Sequence, residues 1–334
     1  MRRVVAVAAV SIVLLSGCSS EEGGGGDALQ VVADPTAAVA ARSPELTATP
    51  AGTVLPLDED VTATVADKAS RTLVVATAEP AQVLLYDLDA LTEAPKAVAL
   101  PSAADDLSLT DAAVLVSMRE SGEVARVSLP SGEVETVAVE GGPVAATERG
   151  GQTLVALRDG KGIGVLEGDR TVKTITDDLY SADDVLVSGD KTVVLDRLRT
   201  AVFDVDLEAG TVNEGLRAGM GATNAVTDSY GRVLVADTRG GALLAFSTDP
   251  LLMRQRYPVP GGIYDIAYDE RRHLAWVTLT SDNEVVGFDV RGGEPTEKFR
   301  LPTVRQPNSV TVDPQTSQVV VGSAAGEGIQ VVTP

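Results

Sequence analysis

From about Gly52 to the C-terminus, short apolar runs alternate with polar punctuation at a fixed spacing. A β-branched run recurs as Leu73-Val74-Val75, Val114-Leu115-Val116, Leu154-Val155-Ala156, Val193-Val194-Leu195, Val233-Leu234-Val235, Leu274-Ala275-Trp276 and Val319-Val320-Val321. The first residues of these runs stand 41, 40, 39, 40, 41 and 45 positions apart. A second anchor, one apolar or aromatic residue followed by a small or acidic one, comes later in each unit. It reads Tyr86-Asp87, Val127-Ser128, Leu166-Glu167, Phe203-Asp204, Phe246-Ser247, Phe288-Asp289 and Val332-Thr333. Two independent anchors that keep one count define seven repeats, and a repeat decides the fold before any local argument does.

Within each unit, runs of Val, Thr and Leu are bounded by Gly, Asp, Ser or Pro, and no helical period is present. That grammar predicts short antiparallel strands, about four to a unit, and units of this length with four strands are propeller blades. The expected fold is therefore all-β, a seven-bladed β-propeller of four-stranded antiparallel blades over residues 53–334. The last unit ends after Ile329-Gln330-Val331-Val332, which reads as its third strand. Its outer strand has to come from Thr53 to Leu57, closing the ring with the N-terminal strand. Trp276, inside an apolar run, reads as core, and Arg254-Gln255-Arg256-Tyr257 as an outer strand edge.

The sixth and seventh units resemble the YVTN-repeat, surface-layer-type propellers. Leu274-Ala275-Trp276-Val277-Thr278 sits where that family has its Tyr-Val-Thr-Asn run, with Trp276 in the tyrosine place and Leu279 departing from the asparagine. Asp282 to Asp289 resembles the turn and third strand, and Gln306 to Asp313 the start of the next blade. The resemblance is sharp from about residue 225 onward and implies the fold together with binding and surface roles.

Ahead of the repeats, Met1, Arg2 and Arg3 precede an apolar run from Val4 to Leu15, the layout of a secretory signal peptide. The run is short for a membrane span. Leu15-Ser16-Gly17-Cys18 resembles a bacterial lipobox, which implies cleavage of residues 1–17 and acylation of Cys18, the only cysteine of the chain. The multiply acylated cysteine of such proteins implies an anchor in the cell membrane, on its extracytoplasmic face. Residues 18–52, with Gly23 to Gly26 followed by an Ala, Pro and Thr-rich stretch, read as a flexible linker. Charge then narrows the partners. Without residues 1–17 the chain keeps 25 basic and 48 acidic residues, a net charge of −23. Such a body repels nucleic acid and anionic headgroups and favours a monomer, so the membrane is expected to be reached through the lipid alone.

Acid-base chemistry has little to work with. His273 is the only histidine, placed after Asp269-Glu270-Arg271-Arg272 in a charged turn, where a solvated role is the ordinary one. Streptogramin-lyase-like propellers, a related architecture, need a well-placed histidine, and this turn is the wrong surrounding for it. No HExxH run and no phosphate-binding glycine loop occurs.

More informative are the residues just before the first strand of each blade: Glu59-Asp60, Asp105-Asp106, Gly142-Pro143, Asp183-Asp184, Thr223-Asn224, Tyr264-Asp265 and Asn308-Ser309. Loops leading into innermost strands gather at one mouth of a propeller's channel, and strand alternation lets one member of each pair face it. The loops after the second strands open on the same face and bring Arg119, Arg158, Arg197 and Arg239 with Asp237 and Asp282, whose ordinary role is inter-blade ion pairing. The ligand-binding candidates at the mouth are thus Asp106, Asp184, Asn224, Asp265, Asn308, Arg158 and Arg197. Asp184, Asn224, Asp265 and Asn308 form the candidate metal set, and calcium is the divalent cation that such oxygens suit.

These readings point to a membrane-anchored, extracytoplasmic, non-catalytic binding or scaffold module for an envelope protein or polysaccharide. The alternative is a metal-dependent lactonase or lyase using the same mouth.

Overall fold

The repeat folds as its spacing predicts. The computed structural model describes residues 34–334 and contains seven four-stranded antiparallel sheets and no helix among them. The signal peptide, Cys18 and the glycine tract lie outside the described residues. The chain divides into two units, Met1–Gln30 and Val31–Pro334, and only the second reaches the described residues.

Blade 1 runs Val61–Asp67, Thr72–Thr77, Gln82–Asp87 and Lys96–Ala99, from the innermost strand outward. The innermost strands of blades 2 to 7 are Asp106–Leu109, Pro143–Arg149, Asp184–Ser188, Ala222–Thr227, Ile263–Asp269 and Pro307–Val312. Each packs beside the next, and that of blade 7 packs beside that of blade 1, so the seven sheets close a ring around a central channel. Blade 7 is completed from both chain ends: Thr53–Leu55 pairs antiparallel with Ile329–Val332, Leu55 opposite Ile329. The closing strand is two residues shorter than the Thr53 to Leu57 expected from sequence.

The recurrent apolar run is the second strand of every blade, and its lack of alternation has a simple cause. Each sheet is covered on both faces by neighbouring blades, so successive side chains enter two different cores. Val74 and Ala76 pack toward blade 2, against Leu107, Val114 and Val116, while Leu73 and Val75 pack toward blade 7 with Leu55, Val320 and Ile329. Trp276 is fully buried between blades 6 and 7 and stacks on Phe299, with ring centroids 5.5 Å apart. Outer strands regain a polar, exposed pattern, and Arg254 to Tyr257 lie in one of them, Leu251–Pro258 of blade 5.

Asp residues close the turns. Asp196 and Asp237, at the ends of second strands, are wholly buried. Asp237 accepts the N–H groups of Met220, Gly221 and Gly240 at 2.8–3.0 Å, tying the loop before blade 5 to the loop after its second strand. Gly219 takes φ +80° there, and a Cβ on it or on Gly240 would collide with the carboxylate.

The part of the expected linker that falls among the described residues is held against the ring. Thr36 to Glu45 cross the face that carries the mouth loops, and Ala38 is buried there.

Candidate functional site

Backbone bonds fix the mouth. The loop after each second strand hydrogen-bonds the loop leading into the same blade: Arg158 N–H to Gly142 O, Thr238 N–H to Gly221 O, Thr280 N–H to Gly262 O and Ala324 N–H to Gln306 O, at 2.9–3.0 Å. Both loop sets therefore share one face, as the sequence pattern implied.

The innermost strands of blades 1, 3, 5, 6 and 7 slip register at their first residues, a bulge that turns one side chain toward the channel. The residues at corresponding places around the ring are Thr62, Asp106, Val144, Asp184, Asn224, Asp265 and Asn308. Asp106, Asp184, Asn224, Asp265 and Asn308 line a cavity of about 410 Å³, together with Thr62, Thr64, Tyr264 and Arg197. Six of the seven expected ligand residues thus come together there. The seventh does not. Arg158 donates through Nε to Asp183 Oδ1 at 2.6 Å, an ion pair between blades 3 and 4, because Asp183 turns away from the channel where Asp184 turns toward it. Glu59-Asp60 gives way as well: Thr62 holds the blade 1 place, and the Asp60 carbonyl caps the loop at Ala78.

The acids split into two groups. Asp105 and Asp183 serve structure: Asp105 accepts the N–H of Arg119 at 2.8 Å, and Asp183 accepts that of Arg197 at 2.8 Å besides binding Arg158. Asp106, Asp184 and Asp265 line the same cavity, each half-buried near the start of its innermost strand. Burial raises the Asp106 carboxyl to about 6, against the N–H of Leu107 and helped by the neighbouring Asp105 charge. Burial likewise lifts Asp184 well above the usual carboxylate range, with the charge of Asp106 adding to it. Asp265 rises to about 7 through burial and the Asp106 charge, although Val310 N–H donates to its Oδ2 at 2.7 Å. The amides are anchored: Asn224 Nδ2 donates to Tyr264 O at 2.8 Å, and Asn308 Oδ1 accepts from Gln306 Nε2 at 2.9 Å.

Three mutually repelling carboxylates at a ring of amides and hydroxyls favour a positive group that neutralises them together. Among the described residues no three acidic, histidine or cysteine side chains come close enough to hold one metal ion, and Asp184, Asn224, Asp265 and Asn308 bring two carboxylates from non-adjacent blades. The acids are spread around the channel rather than focused on a point.

His273 lies at the other end of the blade 6 hairpin from Asp265, in the turn between Ile263–Asp269 and Leu274–Leu279. Its backbone is left-handed, φ 56°, its Nδ1 stands 3.2 Å from Tyr268 Oη, and its ring lies beside Tyr230. It takes no place among the mouth acids.

No family model matches the chain, and no curated protein matches it. Solved structures do. The chain is similar to a chain of the Kuenenia stuttgartiensis hydrazine synthase, 16% identical with TM-score 0.72 over 87% of this chain and 99% of that one. It is similar to virginiamycin B lyase from Staphylococcus aureus, 13% identical with TM-score 0.71 over 84% and 98%. A chain of a mitotic checkpoint complex is 10% identical with TM-score 0.74 over 91% and 98%. Identities this low carry the propeller fold and nothing about chemistry.

Proposed function

We propose that this protein is a lipid-anchored, extracytoplasmic propeller that acts as a non-catalytic binding module, and that its channel mouth receives a cationic group of an envelope partner. One observation carries the reading: Asp106, Asp184 and Asp265 share a cavity of about 410 Å³ with Asn224 and Asn308, and among the described residues Arg197 is the one cation lining it. A lysine or arginine side chain, or a polyamine, spans such a spread of carboxylates better than a single metal ion does. The other reading, a metal-dependent lactonase or lyase, has weaker support, since the four candidate ligands include only two carboxylates and the lone histidine sits at the far end of its hairpin.

Calorimetric titration with spermidine tests this. At pH 8 Asp106 and Asp265 stand above their raised values of about 6 and about 7 and carry charge, and the expected result is saturable binding that the triple variant Asp106→Asn, Asp184→Asn, Asp265→Asn abolishes. At pH 5 the same carboxyls hold protons, so affinity falls. Asp177 and Asp178 are exposed in a connecting loop and serve as the control for non-specific attraction to the acidic body. Equal loss on Asp177→Asn with Asp178→Asn refutes a mouth site.

A further inference from the structure

The arginines of successive mouth loops follow a pattern that breaks. In blade 2 Arg119 pairs with Asp159 of blade 3 at 2.7 Å, and in blade 3 Arg158 pairs with Asp183 of blade 4. In blades 4 and 5 the corresponding arginines reach instead to main-chain carbonyls of the segment Thr36 to Glu45. Arg197 Nη2 donates to Ala38 O at 2.7 Å, and Arg239 Nη2 to Thr36 O at 3.2 Å. Further along, Gln306 Nε2 of the blade 7 loop donates to Ala41 O at 2.9 Å and Asn283 Nδ2 of blade 6 to Pro44 O at 3.0 Å. Ser43 is held at three points: its N–H by Gln306 Oε1, its Oγ by Thr280 O at 2.7 Å, and its Oγ again as acceptor from Gln306 N–H at 2.8 Å.

Four side chains from four blades therefore read carbonyls, which every residue carries, and by side chain the face reads Ser43, the buried Ala38 and Glu45, whose Oε1 pairs with Arg305 Nη1 at 3.1 Å. The Asn283 Oδ1 atom is buried without a partner, a spare acceptor at the end of the same row. A surface built this way recognises extended backbone of small residues rather than one sequence. We infer that the mouth face from blade 4 to blade 7 is a peptide-binding track, and that residues 36–45 are its intramolecular occupant, displaced when an extended segment of a protein partner binds. The occupant is continuous with the leader-proximal part of the chain, so a partner that takes the track releases that segment. Two track residues also touch the channel: Arg197 lines it, and Gln306 holds Asn308. The inference goes beyond the cation reading and does not depend on it.

The test uses the full chain and a fluorescent synthetic peptide of residues 34–46. In the double variant Ala38→Asp, Ser43→Ala the native segment loses its buried contact and its serine bonds, so trypsin cuts after the exposed Arg42 faster than in the unaltered chain. The freed track then binds the peptide at least ~10-fold more tightly than the unaltered chain does, and adding Gln306→Ala weakens that binding by about tenfold, the loss of roughly one or two hydrogen bonds. Asp184→Asn leaves peptide binding unchanged, which separates this result from the fate of the channel reading. Peptide binding equal in the double variant and the unaltered chain, or equally slow cleavage at Arg42 in both, overturns the inference.

Discussion

Asp183 and Asp184 are adjacent and chemically identical, yet one is neutralised by Arg158 and the other lines a cavity with two more acids. Strand alternation alone separates them, and it made the split visible in sequence: one of each pair had to face the channel. Which one did so depended on the phase of the strand, regular in blades 2 and 4 and shifted by a bulge in blades 5, 6 and 7, a backbone feature that no residue in the pairs announces. The cost of the arrangement is testable. Asp106 and Asp265 carry folded pKa values raised by burial to about 6 and about 7, above the ordinary carboxylate value of an unfolded chain. The folded state thus retains protons that the unfolded state has released, its advantage is complete below about pH 4, and it is lost as pH rises to about 7. Asn already occupies the equivalent place in blades 5 and 7. Asp265→Asn is therefore expected to raise stability by about 1–2 kcal/mol at pH 8 and to leave it unchanged at pH 4, measured by thermal melting at both values.

Strands and their closure were legible because seven copies averaged out local noise: the two anchors fall in the second and third strands of every blade. The closing strand was legible by subtraction, since Ile329–Val332 leaves blade 7 one strand short. Part of what holds that closure was not legible, because beside the strand ladder it uses one buried amide. Gln330 Nε2 donates to Ala51 O at 2.7 Å and Pro302 O at 2.9 Å, while its Oε1 accepts Val304 N–H at 3.1 Å. One side chain thereby joins the N-terminal end, the outer strand of blade 6 and the loop into blade 7. Gln330→Leu keeps the volume and leaves Ala51 O and Val304 N–H without their partner, while Pro302 O keeps the N–H of Ala51 at 2.9 Å. The expected loss is about 2–4 kcal/mol, seen as a lower denaturant midpoint with an unchanged slope. A change within about 0.5 kcal/mol, the range of an ordinary surface substitution, contradicts the closure role. Residues 36–45 were read as linker for a related reason. Their composition is that of a tether, and the bonds that fix them use their carbonyls, which leave no mark in an amino-acid sequence.

At the scale of the molecule, the ring is a rigid frame whose cores lie between blades, leaving the mouth face free to carry chemistry. Acidic residues dominate that chemistry, consistent with a net charge of −21 for the full sequence. The most direct measurement is an NMR titration of the side-chain carboxyls of Asp106, Asp184 and Asp265, with and without spermidine. All three are expected to titrate well above their unfolded value, Asp106 near 6 and Asp265 near 7, and to shift downward when the polycation is present. Three carboxyls that titrate near the ordinary value of about 3.9, or that ignore spermidine, contradict a channel mouth built to receive positive charge.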